Sequence, residues 1–311
     1  MKKHVLVVFS LVLSGCGGNN VQPATETSSA LPVAPAPGHS KGGGSLIYAS
    51  DYGTNAVDFY SYKTGKPEGQ ITSGISGPQG LCSDAKGNVF LTNTNDTNVL
   101  EFKHGGTSSI QTLSTSGEYP SACAVSSKRT LAVAAICNSE SCGEGALMLF
   151  ANEMGSPTTV SCPNIYRYYS DAYDNKDNLF VTGEDASFNF AFCEVPRGSN
   201  SGIAITFGTS PAFPGGVAWD GRYVALLDQT NDTIGRYAIS GSKATLKGTV
   251  TLSGTEGDLA NFVIANKKTL LAASPTGYAF WHYPKGGNPY KTQAETLVEP
   301  VGLAISPLPK L

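Results

Sequence analysis

The chain reads Tyr62-Lys-Thr-Gly65, and this pattern, in which an aromatic or branched residue ends a strand and a glycine turn follows, recurs along its length. The further copies are Phe102-Lys-His-Gly105, Phe150 to Gly155, Val195-Pro-Arg-Gly198, Tyr237 to Gly241 and Tyr283-Pro-Lys-Gly286. The glycines lie about 40 to 50 residues apart, which is the spacing of a repeat built from four short strands. The repeat therefore predicts an all-β protein of the β-propeller type.

A second landmark marks the start of the innermost strand of each unit. The chain reads Gly77-Pro78-Gln79-Gly80-Leu81, Tyr119-Pro120-Ser121-Ala122, Pro214-Gly215-Gly216-Val217 and Glu299-Pro300-Val301-Gly302-Leu303. Proline can begin a strand but is excluded from its middle. A small residue just after it permits the close backbone approach that crowding around a central axis requires.

Counting these landmarks gives five complete units and one that is split between the chain ends. The complete units start near residues 78, 120, 170, 214 and 259, and turn sequences such as Asp84-Ala-Lys-Gly87-Asn88 separate their apolar strands. The sixth unit takes its inner strand from Val301 to Ser306 and its other strands from residues 45–72. We predict a six-bladed β-propeller closed by pairing of the terminal strands, which removes exposed sheet edges; seven blades is the alternative count.

Composition and charge exclude several kinds of partner. The chain has 311 residues, of which 14% are charged, and a formal net charge of -3. It contains no stripe of lysine and arginine, so nucleic acid is not an expected partner. Non-specific attraction to an anionic membrane surface is not expected either. We expect a monomer.

The N-terminus has the features of an export signal. Lys2 and Lys3 precede an apolar run from Val5 to Leu13, which is too short to span a bilayer but suits a signal peptide over residues 1–15. Leu13-Ser14-Gly15-Cys16 resembles the bacterial lipobox, which implies a lipoprotein whose Cys16 carries the lipid, palmitate included, and begins the mature chain. The alternative is an ordinary signal peptide followed by an unrelated cysteine. Gly17 rather than aspartate after the cysteine favours, by the same resemblance, the outer membrane over the inner one.

The segment between this signal and the repeats has the composition of a tether. Residues 16–44 are rich in Gly, Pro, Ser, Ala and Thr and carry few large apolar side chains. Such a segment cannot bury enough surface to offset its ordering entropy. We therefore predict a disordered, lipid-anchored tether over residues 16–44 and one propeller domain over residues 45–311.

The first complete unit also resembles a known repeat. Pro78-Gln79-Gly80-Leu81, followed by Asp84 and Gly87-Asn88-Val89-Phe90, is similar to the NHL-type propeller repeat, and other units match it in part. The whole of residues 45–311 resembles bacterial lipoproteins that carry one such propeller. The resemblance implies the fold, whereas NHL-like propellers include both binding modules and several enzyme families.

Seven cysteines are present, and six remain when the lipidation candidate Cys16 is set aside. An even number in an exported protein favours disulfides, although six cysteines allow 15 pairings. Spacing suggests a local bridge between Cys137 and Cys142. It also suggests one between Cys82 and Cys123, near the starts of adjacent inner strands. Cys162 and Cys193 would then pair across neighbouring outer strands. A zinc site would need a Cys-x2-Cys pair or nearby histidines, and the sequence has neither arrangement.

No catalytic constellation is recognisable. Of the four histidines, His4 lies in the signal and His39 in the tether, while His104 lies in a turn and His282 on a strand. No Gly-x-Ser-x-Gly elbow accompanies them. The enzyme alternative is a metal-dependent lactonase or similar six-bladed hydrolase, which would hold a divalent cation such as calcium in the central channel through oxygen ligands. The candidate residues at the channel mouth are Gln79, Glu118, Asp171, Asp258, Asn261 and Glu299.

These observations favour a non-enzymatic recognition or scaffold module on the bacterial cell envelope. The lipid would be its only contact with the membrane, and a protein or small ligand would bind to one propeller face. No cofactor is predicted for this function, and the channel-centred hydrolase is the alternative.

Overall fold

The computed structural model describes residues 44–139, 141–254, 259–274, 277–294 and 297–309. The predicted signal peptide, the predicted tether up to residue 43 and the lipidation candidate Cys16 lie outside these ranges. Within them, no helix is both long and apolar enough to cross a membrane.

The chain forms short strands joined by tight turns, with 3-10 turns at Thr94–Asp96 and Ala151–Glu153. The first strands are β1 (Leu46–Asp51), β2 (Ala56–Ser61) and β3 (Pro67–Ile71). Blade 1 contains β4 (Pro78–Ser83), β5 (Val89–Asn93), β6 (Asn98–Phe102) and β7 (Ser109–Ser114). Blade 2 contains β8 (Tyr119–Val125), β9 (Leu131–Cys137), β10 (Ala146–Phe150) and β11 (Thr158–Val160).

The remaining blades follow in the same order. Blade 3 contains β12 (Arg167–Tyr173), β13 (Leu179–Glu184), β14 (Phe190–Val195) and β15 (Ile203–Ala204). The short β16 (Thr206–Phe207) joins the outer edge of blade 4, which contains β17 (Pro214–Trp219), β18 (Val224–Asp228), β19 (Thr233–Ser240) and β20 (Lys243–Thr251). Blade 5 contains β21 (Phe262–Ala265), β22 (Thr269–Ser274), β23 (Gly277–His282) and β24 (Lys291–Ala294), and the final strand is β25 (Pro300–Ser306).

The six sheets close into a ring, which confirms the predicted six-bladed propeller. In blade 6, β25 pairs with β1, so that Leu46 lies opposite Ser306 and Ile47 opposite Ile305. The innermost strands contact one another in the cyclic order β25, β4, β8, β12, β17, β21 and back to β25. The last segment of the chain is therefore hydrogen-bonded to the first, as the repeat count predicted.

Both faces of the inner strands of each blade are buried, which explains why these strands read as almost continuous apolar runs, whereas the outermost strands are largely exposed. Val89 and Leu91 pack in a cluster between blades 6 and 1, while the intervening Phe90 packs in the cluster between blades 1 and 2. Further clusters fill the other interfaces between neighbouring blades. Alternate residues thus face two different neighbours, and both must be apolar because each face is removed from water.

The structure joins the six cysteines in three disulfides. Cys82 and Cys123 connect the inner strands of blades 1 and 2, with 5.7 Å between their Cα atoms. Cys137 and Cys142 close a short loop of blade 2, and Cys162 is bonded to Cys193 in blade 3. These are the pairs that the spacing suggested. Three disulfides fit a protein of an extracellular or periplasmic compartment.

The two faces of the ring differ in what they present. We call the face where the innermost strands begin the upper face, and the face where they end the lower face. Ser45 and Leu46 lie at the lower face, because Leu46 is opposite Ser306 and the Ser306 hydroxyl donates to the carbonyl of Gly87 in a lower-face turn. The described chain therefore begins and ends on the lower face.

Candidate functional site

Irregular pairing at the upper ends of the inner strands shapes the centre of the ring. In blade 1, Pro78 pairs with Asn93 and Leu81 pairs with Leu91. Two residues of β4 therefore lie opposite a single residue of β5, so β4 holds one extra residue there. Extra residues occur at the same level in β8, β12, β17 and β25. Such bulges re-aim the side chains beside them. Here the re-aimed residues include Gln79, Tyr169 and Val301, which face a cavity on the axis.

This axial cavity opens at the upper face and is lined by residues from all six blades. The space open to the centre of a water molecule is about 90 Å³, which suits part of a ligand, such as one side chain or head group. Its floor and walls include small or apolar residues, among them Ala122, Ile136, Ala260 and Val301. Concave sites with apolar walls and a few polar groups are typical of ligand binding.

Four aromatic side chains line the axial cavity: Tyr52, Tyr119, Tyr169 and Phe213. The rings of Tyr169 and Phe213 lie 6.2 Å apart between centroids. Burial raises the pKa of Tyr169, and a hydrogen bond to Glu184 acts in the same direction, so this phenol is neutral over the whole physiological range. The cavity therefore offers aromatic faces, one of which belongs to a neutral phenol.

Amide side chains supply most of the other polar atoms of the cavity. Gln229 donates to the carbonyl of Pro214 at 2.9 Å, and the Oδ1 of Asn261 accepts from the backbone of Phe262 at 2.7 Å. These bonds fix both side chains and leave Oε1 of Gln229 and Nδ2 of Asn261 for a ligand. Gln79 is only 7% exposed, and it lies in the lining of the cavity.

Glu299 is the charged residue of the cavity lining. Burial raises its pKa, and the negative charge of Asp51 adds to this effect. Asp51 itself accepts hydrogen bonds from the backbone N–H groups of Val298 and Glu299, at 2.9 and 2.8 Å. Asp51 thus holds the segment that presents Glu299 to the axis.

The structure brings only part of the predicted channel-mouth set together. Gln79, Asn261 and Glu299 line the axial cavity. Glu118 precedes β8 outside this lining, and burial followed by the charge of Glu144 raises its pKa. Asp258 lies outside the described residues. Among those that are described, no group of three or more His, Cys, Asp or Glu side chains is placed to hold a metal ion.

Asp171 lies deeper in the ring than the sequence suggested. It is opposite Val181, and residues directly opposite on paired strands share a face, so its carboxyl points toward the apolar cluster between blades 2 and 3. The bulge between Tyr168 and Ser170 explains the difference, because it turns Tyr169 rather than Asp171 toward the cavity. Asp171 instead borders a second cavity, at the lower end of the channel.

The fold distributes charge unevenly between the two faces. Apart from Arg167, the described lysines and arginines lie in lower-face turns or on the third and fourth strands of the blades. The turn residues are Lys63, Lys66, Lys86, Lys103, Lys128, Arg129, Lys176, Arg197, Arg222, Lys267, Lys268 and Lys285. The lower-face turns also carry Asp84, Glu153, Asp174, Asp177 and Asp220, so their excess of positive charge is partial. The upper-face loops carry mainly carboxylates, namely Asp96, Glu118, Glu144, Glu184, Asp185, Asp228, Asp232 and Glu299. Arg167 is itself paired with Glu184 at 3.1 Å.

Neither described histidine belongs to the axial cavity. Nδ1 of His104 lies 3.3 Å from the hydroxyl of Ser306 at the lower face, and burial lowers the pKa of His104. His282 is exposed and stacks on Tyr290, with 4.4 Å between ring centroids. Among the described residues, the cavity therefore has no imidazole to act as a general base.

Fold and site together define a six-bladed propeller with an aromatic and amide-lined axial cavity. Solved structures of similar fold include the Nidogen/Laminin complex, with a TM-score of 0.68 and 12% identity over 85% of this chain and 98% of that chain. A protein of unknown function from Bacteroides caccae has a TM-score of 0.66 and 10% identity over 85% of this chain and 100% of that one.

Enzymes also share the fold. A catalytically inactive histidine-to-alanine variant of virginiamycin B lyase from Staphylococcus aureus, solved with Quinupristin, has a TM-score of 0.57 and 16% identity over 73% of each chain. At these identities the similarity concerns the fold alone. No protein-family model matches the chain, and no curated protein is similar to it in sequence.

Proposed function

We propose that this protein is a recognition module of the bacterial cell envelope, tethered through lipid on Cys16, that binds its ligand in the axial cavity of the upper face. The observation that carries the proposal is the cavity itself, to which all six blades contribute aromatic faces and hydrogen-bonding amides. Groups of this kind bind and orient a ligand. They do not by themselves supply a nucleophile or a general base.

The position of the first described residues supports the same function. Ser45 and Leu46 lie on the lower face, opposite the mouth of the axial cavity. A lipid-anchored chain that reaches the propeller there would leave the upper face directed away from its own membrane. The three disulfides fit the oxidising compartment that this location requires.

Site-specific photo-cross-linking in intact cells tests the proposed site. p-Benzoylphenylalanine in place of Tyr119, which lines the axial cavity, should give a discrete cross-linked product after irradiation. The same substitution at Tyr290, which is 48% exposed but lies away from this cavity, is the matched control. A product from position 290 with none from position 119 would contradict an axial site.

The anchor has a separate test. Cys16→Ser removes the thiol that would carry lipid, so the protein should move from the membrane fraction to the soluble envelope fraction. Immunoblotting of the two fractions measures the change. A replacement of the nearby Ser14 by alanine keeps Cys16 and is the control. A Cys16→Ser protein that stays with the membranes would contradict lipid anchoring.

The alternative function is a hydrolase that uses a divalent cation in the channel. It is favoured by one observation, that the oxygen-bearing side chains of Gln79, Asn261 and Glu299 line one cavity. Calcium would then raise the melting temperature of the wild type, and Glu299→Gln would abolish the rise. Stoichiometric metal in the purified protein, lost on chelation, would favour this function over simple recognition.

A further inference from the structure

We propose that the axial cavity binds its ligand through an alkylammonium group, that is, a cationic amine carrying alkyl substituents. The inference rests on the proposed function, since it names the ligand chemistry of the same site. It depends on the aromatic walls, on the charge of the lining and on the charge of the surrounding face.

The aromatic walls favour a positive group with an apolar surface. Tyr52, Tyr119, Tyr169 and Phe213 come from four different blades and surround one cavity. The face of an aromatic ring carries partial negative charge, so several rings around one point attract a cation, most strongly where water is excluded. Alkyl groups on the nitrogen would also bury apolar surface against Ala260 and Val301.

The charge of the lining has one sign. Glu299 contributes a carboxyl, and in the described part of the chain no lysine, arginine or histidine lines the cavity. Burial raises the pKa of Glu299, so its carboxylate is incompletely solvated and gains from a positive partner. An anionic ligand such as a phosphate or carboxylate would find no cation to pair with.

The upper face around the cavity has the same sign of charge. Its loops carry the acidic residues described above, and Arg167, the cation among the described residues there, is already held by Glu184 and by the carbonyl of Cys142 at 3.1 Å. A rim with an excess of negative charge raises the local concentration of cations and speeds their association. The opposite face, where the lysine-rich turns lie, has the reverse polarity.

The amides of the lining explain how a cation of this type would be distinguished from a simple inorganic ion. Gln79 lines the cavity, and Gln229 and Asn261 are held there by one hydrogen bond each, from Nε2 to Pro214 and to Oδ1 from Phe262. A ligand with a hydroxyl or amide a few bonds from its nitrogen would hydrogen-bond to these amides. A metal ion would use the oxygen atoms of the lining alone, whereas an alkylammonium group would also contact its aromatic rings.

An alkylammonium group can come from a quaternary amine such as choline or from a lysine side chain. Ligand-observed NMR titrations of the full-length protein in a non-ionic detergent can compare both sources with neutral matches. Choline is compared with 3,3-dimethylbutan-1-ol. Nα-acetyl-lysine amide, which keeps its side-chain ammonium, is compared with Nα-acetyl-norleucine amide. Each pair keeps a similar apolar shape and differs in charge.

At least one cation should bind about 10-fold more tightly than its neutral match, the difference expected for a charge held by rings and a carboxylate out of water. Glu299→Gln should reduce this preference about 10-fold. Phe213→Leu, which keeps an apolar side chain but removes the ring, should reduce it as well. Glu118→Gln removes an upper-face charge outside the cavity lining and should change the affinity less than twofold.

The possible outcomes distinguish a failure of the alkylammonium inference from a failure of the proposed function. Equal binding of the cation and its neutral match in both pairs, or no saturable binding of either cation, overturns the alkylammonium inference. Cross-linking from position 119 would still support a ligand site in the cavity. If the cations bind with the expected preference but cross-linking fails, the chemistry of the cavity stands and its use in envelope recognition is contradicted.

Discussion

At the scale of single residues, Asp171 carries a carboxyl into an apolar interface. It is 5% exposed, and neither of its carboxylate oxygens has a hydrogen-bond partner in the described ranges. Burial raises its pKa well above the ordinary value, because the charged form loses its hydration and the residue's own backbone N–H offsets only part of that loss. The folded protein therefore holds a proton on Asp171 at pH values where the unfolded chain has released it.

Asp171→Asn should stabilise the protein at neutral pH by about 1–3 kcal/mol, since it removes a carboxyl that is costly to ionise. Because the pKa is raised by folding, the wild type loses stability as pH rises from about 4, by at most about 1.4 kcal/mol per unit. The advantage of the variant should vanish below about pH 4. Urea unfolding at a series of pH values measures it.

Asp185→Asn is the matched control for this experiment. The Asp185 carboxyl lies in an exposed turn, where hydrogen bonds from the backbone of Asn189 and Ser187 lower its pKa. Its stabilising effect is present at neutral pH and declines as pH falls, the opposite sign to Asp171. A pH-independent difference between wild type and Asp171→Asn would contradict the buried-acid interpretation.

At the scale of elements, the inner strands approach one another too closely for ordinary side chains. A Cβ atom on Gly80 would lie 2.5 Å from the Cα of Ala122 and 2.6 Å from the carbonyl oxygen of Ser121, both on the neighbouring inner strand. Hydrogen bonds cross at the same level, such as that from the backbone of Val217 to the hydroxyl of Ser170 at 3.2 Å. The ring therefore depends on small residues where the strands bulge.

Gly80→Ala should destabilise the protein by about 1–3 kcal/mol, because backbone of the next blade must move to accommodate the methyl group. Thermal unfolding measures the loss. Gly248→Ala on β20 is the control, since a Cβ atom there would meet no atom within 4 Å. Equal effects of the two substitutions would mean that close packing at the axis is unimportant for stability.

At the scale of the whole molecule, closure depends on one pair of strands from opposite ends of the chain. Leu303 and Ile305 of β25 are buried against blade 5. The β25 backbone also covers the edge of β1. An uncovered β1 would present unpaired N–H and C=O groups to other chains. The ends of the described domain are thus fixed beside each other.

Deletion of residues 301–311 should open the ring. Burial of two such aliphatic side chains contributes about 2–3 kcal/mol each, and each kcal/mol shifts the melting temperature of a domain this size by about 2–4 °C. We expect a fall of about 10 °C or more, with aggregation visible by size-exclusion chromatography. Deletion of residues 308–311 leaves β25 intact and is the control. A shortened protein lacking 301–311 that stayed soluble, compact and equally heat-resistant would contradict closure by these strands.

The sequence by itself determined the number of blades, their order and the closing pair of strands. Glycine turns and proline-led strands are local signals, since each depends on the backbone preferences of a few neighbouring residues. Spacing also suggested the three disulfides, and it placed Gln79, Asn261 and Glu299 near the axis.

Only the tertiary structure decided which side chains meet there. The bulges shift the register by one residue, which brings Tyr169 to the cavity and leaves Asp171 between two blades. Tyr52 and Gln229 reach the cavity from the loops that join the second and third strands of blades 6 and 4. The separation of lysine-rich and carboxylate-rich faces was also invisible in a chain of small net charge. These features arise because side-chain direction and charge position depend on how six distant segments are arranged around one axis, which no local stretch of sequence specifies.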